Sequence, residues 1–289
     1  MKVAIMTDSN SGITQSLAKE NGIFLTPMPF LIDGEEYFED ISLSQDEFYK
    51  KLTDNANVST SQPSIYSVTE VWDEILKSYD EIVYIPMSSG LSASTQTAET
   101  ASLDYNGKVQ VVDNQRISIT QKQSVFDALT LAKQGKSAKE IKDWLLKTGL
   151  DASIYIMVTT LKYLKKGGRV TPAAAMIGSL LQIKPVLTIQ GAKLDKFCKV
   201  TSTNVGKKKM IEQIVTELRT RFADKVSQGK IKVSMAYTNC REKCLEFAKE
   251  ANEALKEFNI EVDMVDPLSL SVACHIGDGA LAIGAYEVL

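Results

Sequence analysis

Histidine is almost missing from this 289-residue chain: His275 is the single copy. Zinc sites built on two or three histidines are therefore excluded. Cysteine is sparse as well, at positions 198, 240, 244 and 274, with no CxxC pair. Such spacing provides neither a metal-ligand framework nor a disulfide scaffold, and it suggests reduced thiols in a cytoplasmic setting. A basic excess is also lacking, since 33 Lys and Arg face 36 Asp and Glu for a net charge of −3. That argues against nucleic acid as the main partner, because a phosphate footprint needs surplus cationic side chains. No apolar run is long enough to span a bilayer: the stretch 173–189 is broken by Ser179, Gln182, Lys184 and Pro185. The opening residues, Met1 to Asp8, are too short an apolar segment for a signal peptide. A soluble protein is expected, with no metal and no cofactor.

What is there looks globular. Hydrophobic residues make up 44% and charged residues 24%, ordinary values for a packed domain. The length suits two domains, and no internal repeat is evident. Val3–Thr7, Ile82–Pro86 and Val109–Asp113 read as short buried strands. Between them, Val71, Trp72, Ile75, Leu76 and Tyr79 recur on one face of a helix. Ile141, Trp144 and Leu145 mark a second helix that ends near Gly149. Buried strands separated by helices predict a doubly wound parallel sheet. The segment 24–43, with an acidic turn Asp33-Gly34-Glu35-Glu36, interrupts that pattern and suggests a hairpin.

The second half is less regular. Strands are expected at Ile154–Thr159, Val186–Ile189, Lys232–Thr238 and Ile260–Val265, with helices at Lys207–Phe222 and Arg241–Phe258. A helix over 172–181 is apolar nearly all round, so it is expected to be buried or to touch a ligand. The boundary falls near residue 152, giving an N-terminal α/β domain, 1–152, and a C-terminal α+β domain, 153–289.

Any chemistry lies in three hydroxyl-rich loops: Thr7-Asp8-Ser9-Asn10-Ser11-Gly12, Ser59-Thr60-Ser61-Gln62-Pro63-Ser64, and Ser88-Ser89-Gly90-Leu91-Ser92-Ala93-Ser94. In an open α/β sheet, ligands bind beyond the carboxyl ends of the strands. Helix N-termini and hydroxyls there suit an anion. Helix capping by Ser, Thr and Asp is the plain alternative, and it suffices for the first loop. The second and third hold more hydroxyls than a cap can use, and Gly90 permits close backbone approach. His275, in the glycine-rich turn Cys274-His275-Ile276-Gly277-Asp278-Gly279, is equally a packing residue or a ligand contact. The basic run Lys165-Lys166-Gly167-Gly168-Arg169 reads by itself as a solvated turn.

Catalytic signatures fail. Gly135-Lys136-Ser137 resembles the end of a P-loop, but the required glycine is Thr130. There is no GxSxG elbow and no GxGxxG after the first strand. Two alternatives to a carrier stay open. One is a serine hydrolase or acyltransferase using Ser92 or Ser89 with His275, oriented by Asp278 or another acid. The other is a binder of another amphipathic anion, such as a retinoid or isoprenoid acid.

Taken together and in order, the loops resemble the DegV family of bacterial fatty acid-binding proteins. The matching pieces are Thr7-Asp8-Ser9, Thr60-Ser61-Gln62-Pro63-Ser64, Ser88-Ser89-Gly90-Leu91-Ser92 and Val111-Val112-Asp113. They continue through the segment from Leu161 to Val170, then Leu181-Gln182-Ile183-Lys184-Pro185, and end at His275-Ile276-Gly277-Asp278-Gly279-Ala280-Leu281. The resemblance implies a two-domain α/β protein holding one long-chain fatty acid in a tunnel between its domains. It implies no chemistry in this chain itself. A separate ATP-dependent fatty acid kinase subunit would phosphorylate the bound acid for phospholipid metabolism, with transient membrane contact possible. By motif, Thr60, Ser61 and Ser92 would bond the carboxylate with His275 nearby. Ser89, Gly90 and Ser94 would support that loop, and Arg169 would help dock the kinase. The chain departs from the family pattern at Ala93, Thr95, Asn114 and Asp278.

Overall fold

Val3–Asp8 (β1) lies at the centre of the first sheet, between Phe24–Thr26 (β2) and Glu81–Ile85 (β6), with Val109–Val111 (β7) beyond β6. All three pairings are parallel. Buried on both faces, β1 is a continuous apolar run rather than an alternating one. Ile5 packs towards Ser118–Lys133 (α5) and Ala138–Lys147 (α6), whereas Ala4 and Met6 pack towards Ile65–Ile75 (α3) and Ser94–Ser102 (α4). The sheet is therefore doubly wound. The computed structural model describes residues 2–172 and 183–289.

A small sheet interrupts this pattern. Pro29–Ile32 (β3) and Glu35–Phe38 (β4) form the expected hairpin, and Val58–Thr60 (β5) pairs with the other edge of β3. The hairpin turns on Asp33 and Gly34, both at positive φ, as a two-residue turn between twisted strands requires. Gln45–Thr53 (α2) covers this sheet and starts in a capping box between Ser44 and Glu47. A short helix, Gln15–Asn21 (α1), follows β1.

The second sheet is mixed. Its strands are Ala152–Met157 (β8), Lys184–Ile189 (β9), Asp195–Val200 (β10), Ile231–Tyr237 (β11), Val262–Pro267 (β12) and Leu281–Glu287 (β13), in the order β10-β9-β8-β13-β11-β12. Only β11 and β12 run parallel among these neighbours. Alternation along β8 decides what each face meets. Tyr155 and Met157 join the core under Thr203–Arg219 (α8) and Arg241–Leu255 (α10), while Ile154 and Ile156 face the N-terminal half. Ala223–Ser227 (α9) closes the end of α8.

The structure corrects two readings. The basic run is no simple turn: Lys162–Gly167 is a helix (α7), with Gly168 in the left-handed conformation as its cap. His275 is not in a loop but in the last turn of Leu270–Ile276 (α11), and the glycine-rich turn begins only at Gly277. Strands β10 and β13 and helix α5 were not anticipated. The expected helix at 172–181 lies almost wholly outside the described residues. No helix among the described residues is long and apolar enough to cross a membrane.

Candidate functional site

Asp8, at the carboxyl end of β1, is fully buried and organises the site from beneath. Its carboxylate accepts hydrogen bonds from the Asn10 amide N–H (3.0 Å), the Met87 amide N–H (2.8 Å) and Gln121 Nε2 (3.1 Å). The first bond is the expected cap. The second reaches across to the end of β6 and fixes the start of the Met87–Ser92 loop. Burial pushes the Asp8 carboxyl up to about 6, against the lowering pull of those donors.

That loop is held tightly. Thr95 Oγ1 donates to the Met87 carbonyl (2.6 Å) and Ser88 Oγ to the Ala192 carbonyl (2.9 Å). A side chain at Gly90 would collide with the Ala192 backbone, so glycine is required for the loop to lie against the second half. Ser89 N–H donates to Asp113 Oδ1 (3.2 Å). Ser92 Oγ and Ser94 Oγ lie 2.9 Å apart, and Ser94 N–H donates to Ser92 Oγ (3.2 Å), so Ser92 also steadies the start of α4.

Three elements close the site from the other side. Thr60, ending β5, places its hydroxyl 2.8 Å from His275 Nε2. Glu39 accepts from the Leu270 amide N–H (2.8 Å) and Gln45 Nε2 (2.5 Å), seating the first turn of α11. Burial raises the Glu39 carboxyl to about 7. Gly167 of α7 packs flat on the His275 ring, where a methyl group would strike Nδ1. Arg169 turns inward, donating Nε to the Leu91 carbonyl (3.2 Å) and Nη1 to the Gly167 carbonyl. Burial first, then the nearby Arg169 charge, pull the His275 pKa down to about 4. The imidazole is neutral at physiological pH.

These groups surround a cavity of about 220 Å³ whose walls include Thr60, Ser61, Ser92, Arg169 and His275. All four head-group residues anticipated from sequence are brought together here, and Arg169 lines the same space. Ser89, Gly90 and Ser94 stand outside the wall and shape the loop. The cavity shares Leu91, Ile117, Leu194, Val272 and Ile276 with a smaller chamber of about 40 Å³, lined otherwise by residues such as Ile119, Ile156, Ile189 and Ala282. Apart from Ser118, the walls of that chamber are hydrocarbon, in contrast to the hydroxyls of the larger cavity. A further recess of about 140 Å³, bordered by Tyr163, Lys166 and Arg169, opens on Thr60 and His275 from outside.

Sequence reasoning missed Asn10, Ile117 and Ser271 in the wall. Asn10 sat in a loop that capping alone explained, and Ser271 carries no motif. Among the described residues, no group of three or more His, Cys, Asp or Glu is placed to hold a metal ion. Among the described residues, His275 Nε2 faces Thr60 rather than Ser89 or Ser92, and Ser92 is paired with Ser94, so those serines do not form a triad with His275.

The DegV family model, a family of uncharacterised proteins, matches residues 2–288. The chain belongs to the DegV family. A DegV domain-containing protein of Streptococcus pneumoniae is 30% identical over the full length of both chains. Among solved structures, a DegV family protein from Thermus thermophilus, described for its fatty acid binding, superposes with a TM-score of 0.84 at 27% identity, covering 100% of both chains. DegV from Bacillus subtilis, described as a fatty acid binding protein, gives a TM-score of 0.83 at 27% identity over 99% of each. Membership in the DegV family thus covers both halves of the chain and every loop that lines the cavity.

Proposed function

We propose that this protein binds one long-chain fatty acid, with its carboxylate among Thr60, Ser61, Ser92 and His275 and its tail in the apolar chamber. It then presents the carboxylate to a separate ATP-dependent fatty acid kinase. One observation carries the reading: a cavity walled by clustered hydroxyls beside a neutral imidazole adjoins, through shared lining residues, a chamber lined by hydrocarbon apart from Ser118. The fatty acid-binding relatives from Thermus thermophilus and Bacillus subtilis support it.

The energetics are reasonable. Burying a chain of some sixteen carbons gains on the order of 12 kcal/mol gross at ~0.8 kcal/mol per methylene, reduced by ordering and lost translational freedom. A buried carboxylate is costly unless hydrogen bonds replace its water. Two or three hydroxyl donors, at roughly 1.5–3 kcal/mol for each charge-assisted bond, offset much of that. With Arg169 donating to the Leu91 and Gly167 carbonyls, hydroxyl donors would hold the carboxylate and leave one of its oxygens free to attack the γ-phosphorus of ATP, with ADP leaving and an acyl phosphate remaining in the cavity. Arg169, between the cavity and the outer recess, is suited to meeting the kinase. The protein is taken as cytoplasmic, touching the membrane transiently to exchange lipid, with its halves dividing at residue 152.

Native and then denaturing mass spectrometry of the purified protein is the test of binding. A retained mass equal to a fatty acid, released on denaturation, is expected. A protein that arrives empty and refuses added fatty acid would overturn the reading. The kinase step is tested separately, by acyl phosphate formation from the loaded protein, ATP and a bacterial fatty acid kinase subunit.

A further inference from the structure

We infer that the cavity contains a second polar station, Asn10 with Ser271, held from behind by Ser269, which takes a hydroxyl carried on the acyl chain a few carbons from the carboxylate. The fitting ligand class is then a hydroxylated long-chain acid. The inference deepens the fatty acid reading above and rests on it.

Helix α11 lies along the cavity: Ser271 and His275 line its polar part, while Val272 and Ile276 line both that part and the apolar chamber, which Leu268 borders just before the helix. Ser271 is four residues before His275, hence on the same face and one turn away, about 6 Å along the axis at ~1.5 Å rise per residue. A polar group there is more than the carboxylate itself needs.

Asn10 completes the station from the opposite half of the chain. Its side chain is buried, with only 2% of the residue exposed. Asn10 Oδ1 accepts from Ser269 Oγ (2.8 Å) and from Ser271 Oγ. The amide nitrogen instead faces Met87 Sδ at 2.7 Å. A thioether sulfur is a weak acceptor and no donor, so the nitrogen must be on that side. Of the two N–H groups on Nδ2, one meets only sulfur, and no other acceptor for Nδ2 lies within reach among the described residues. A buried amide donor left in this way is costly. A plain methylene chain passing Asn10 leaves it so. A chain hydroxyl would accept from Nδ2 and donate to a serine oxygen, satisfying the group without disturbing the carboxylate contacts.

The test is calorimetric titration of delipidated protein with stearic acid, 3-hydroxystearic acid and 12-hydroxystearic acid. The 3-hydroxy acid is expected to bind about tenfold more tightly than stearic acid, the worth of one buried hydrogen bond. The 12-hydroxy acid, whose hydroxyl falls in the hydrocarbon chamber, is expected to bind more weakly than stearic acid. Asn10→Leu should erase the ratio between 3-hydroxystearic and stearic acid, and Ser271→Ala should reduce it if Asn10→Leu does not fold. Stearic acid binding with no 3-hydroxy preference, or a preference that survives both substitutions, would overturn this inference alone. Failure to bind any of the three acids would overturn the fatty acid reading with it.

Discussion

Asp8 and His275 lie on opposite sides of the same cavity loops, and their titrations oppose one another. Burial raises the Asp8 carboxyl from an ordinary 3.8 to about 6. The folded state therefore holds that proton more tightly than the unfolded chain, so the stability linked to Asp8 is greatest below pH 4 and is lost as pH rises through 6. His275 is shifted from 6.5 down to about 4. Its folded state resists the proton, so its contribution is complete above pH 6.5 and is lost as pH falls towards 4. Two substitutions separate these effects. The stability difference between wild type and Asp8→Asn should be larger at pH 4.5 than at pH 7, by roughly 2–3 kcal/mol at most. The difference between wild type and His275→Gln should be larger at pH 7 than at pH 4.5. Urea denaturation at the two pH values measures both, and parallel slopes for the two variants would contradict this account. On the ligand side, Thr60→Val and Ser92→Ala should each weaken fatty acid binding about tenfold, the loss of one hydrogen bond to a charged group. Titration calorimetry with stearic acid reads that loss directly.

At the scale of elements, what the sequence reveals depends on how each element is covered. Strands β1, β6 and β8 are buried on both faces, and their largely apolar runs announce them. The capped amphipathic helices α3 and α6 are equally plain, since each turns one apolar face to a single sheet. Helix α5 fails that test for a physical reason. It packs between the first sheet and strands β11 and β13, so Gln121, Lys122, Ser124 and Asp127 are buried beside Ile119 and Val125 and no apolar stripe survives. The site follows the same division. Thr60, Ser61, Ser92 and His275 stand in motifs and were legible, whereas Asn10 and Ser271 become wall residues only when β1 and α11 are brought together. Close packing of elements also explains two glycines. Gly90 lies against the Ala192 backbone and Gly167 against the His275 ring, both without room for a methyl group. Gly167→Ala should displace the imidazole and lower fatty acid affinity by tenfold or more while the fold persists, because α7 has solvent on its outer side. Gly90→Ala should cost stability as well, since a carbonyl rather than a flexible side chain must move. Thermal melts and binding isotherms on the two variants distinguish them; equal losses of stability would contradict the distinction.

For the whole molecule, the cavity wall is built from both halves of the chain. Asn10, Thr60, Ser92 and Ile117 come from before residue 152, and Leu194, Ser271 and His275 from after it. Protein contacts already join the halves: Lys122 Nζ meets Asp266 Oδ2 at 2.8 Å, and Ser88 reaches Ala192. At the cavity wall, Thr60 meets His275, Asn10 meets Ser271 and Arg169 meets Leu91. On the proposed function, a bound acyl chain would add contacts between the loops after β1 and β5 on one side and α11 on the other, and so would behave as a removable piece of the core. Because it binds the folded state and not the unfolded chain, ligand at a hundred times Kd stabilises by about 2.7 kcal/mol. For a protein of this size, that corresponds to a rise in Tm of about 4–5 °C. Hydrogen exchange locates the effect. Amides of Leu270–Ile276 and of the Ser88–Ser92 loop should slow when stearic acid is added to delipidated protein, while those of α10, packed on the far face of the second sheet, should change only as far as global unfolding controls them. Slowing spread evenly over α10 and α11 would mean that the ligand acts on global stability alone and does not join the halves locally; an unchanged Tm would mean that no acyl chain occupies the cavity.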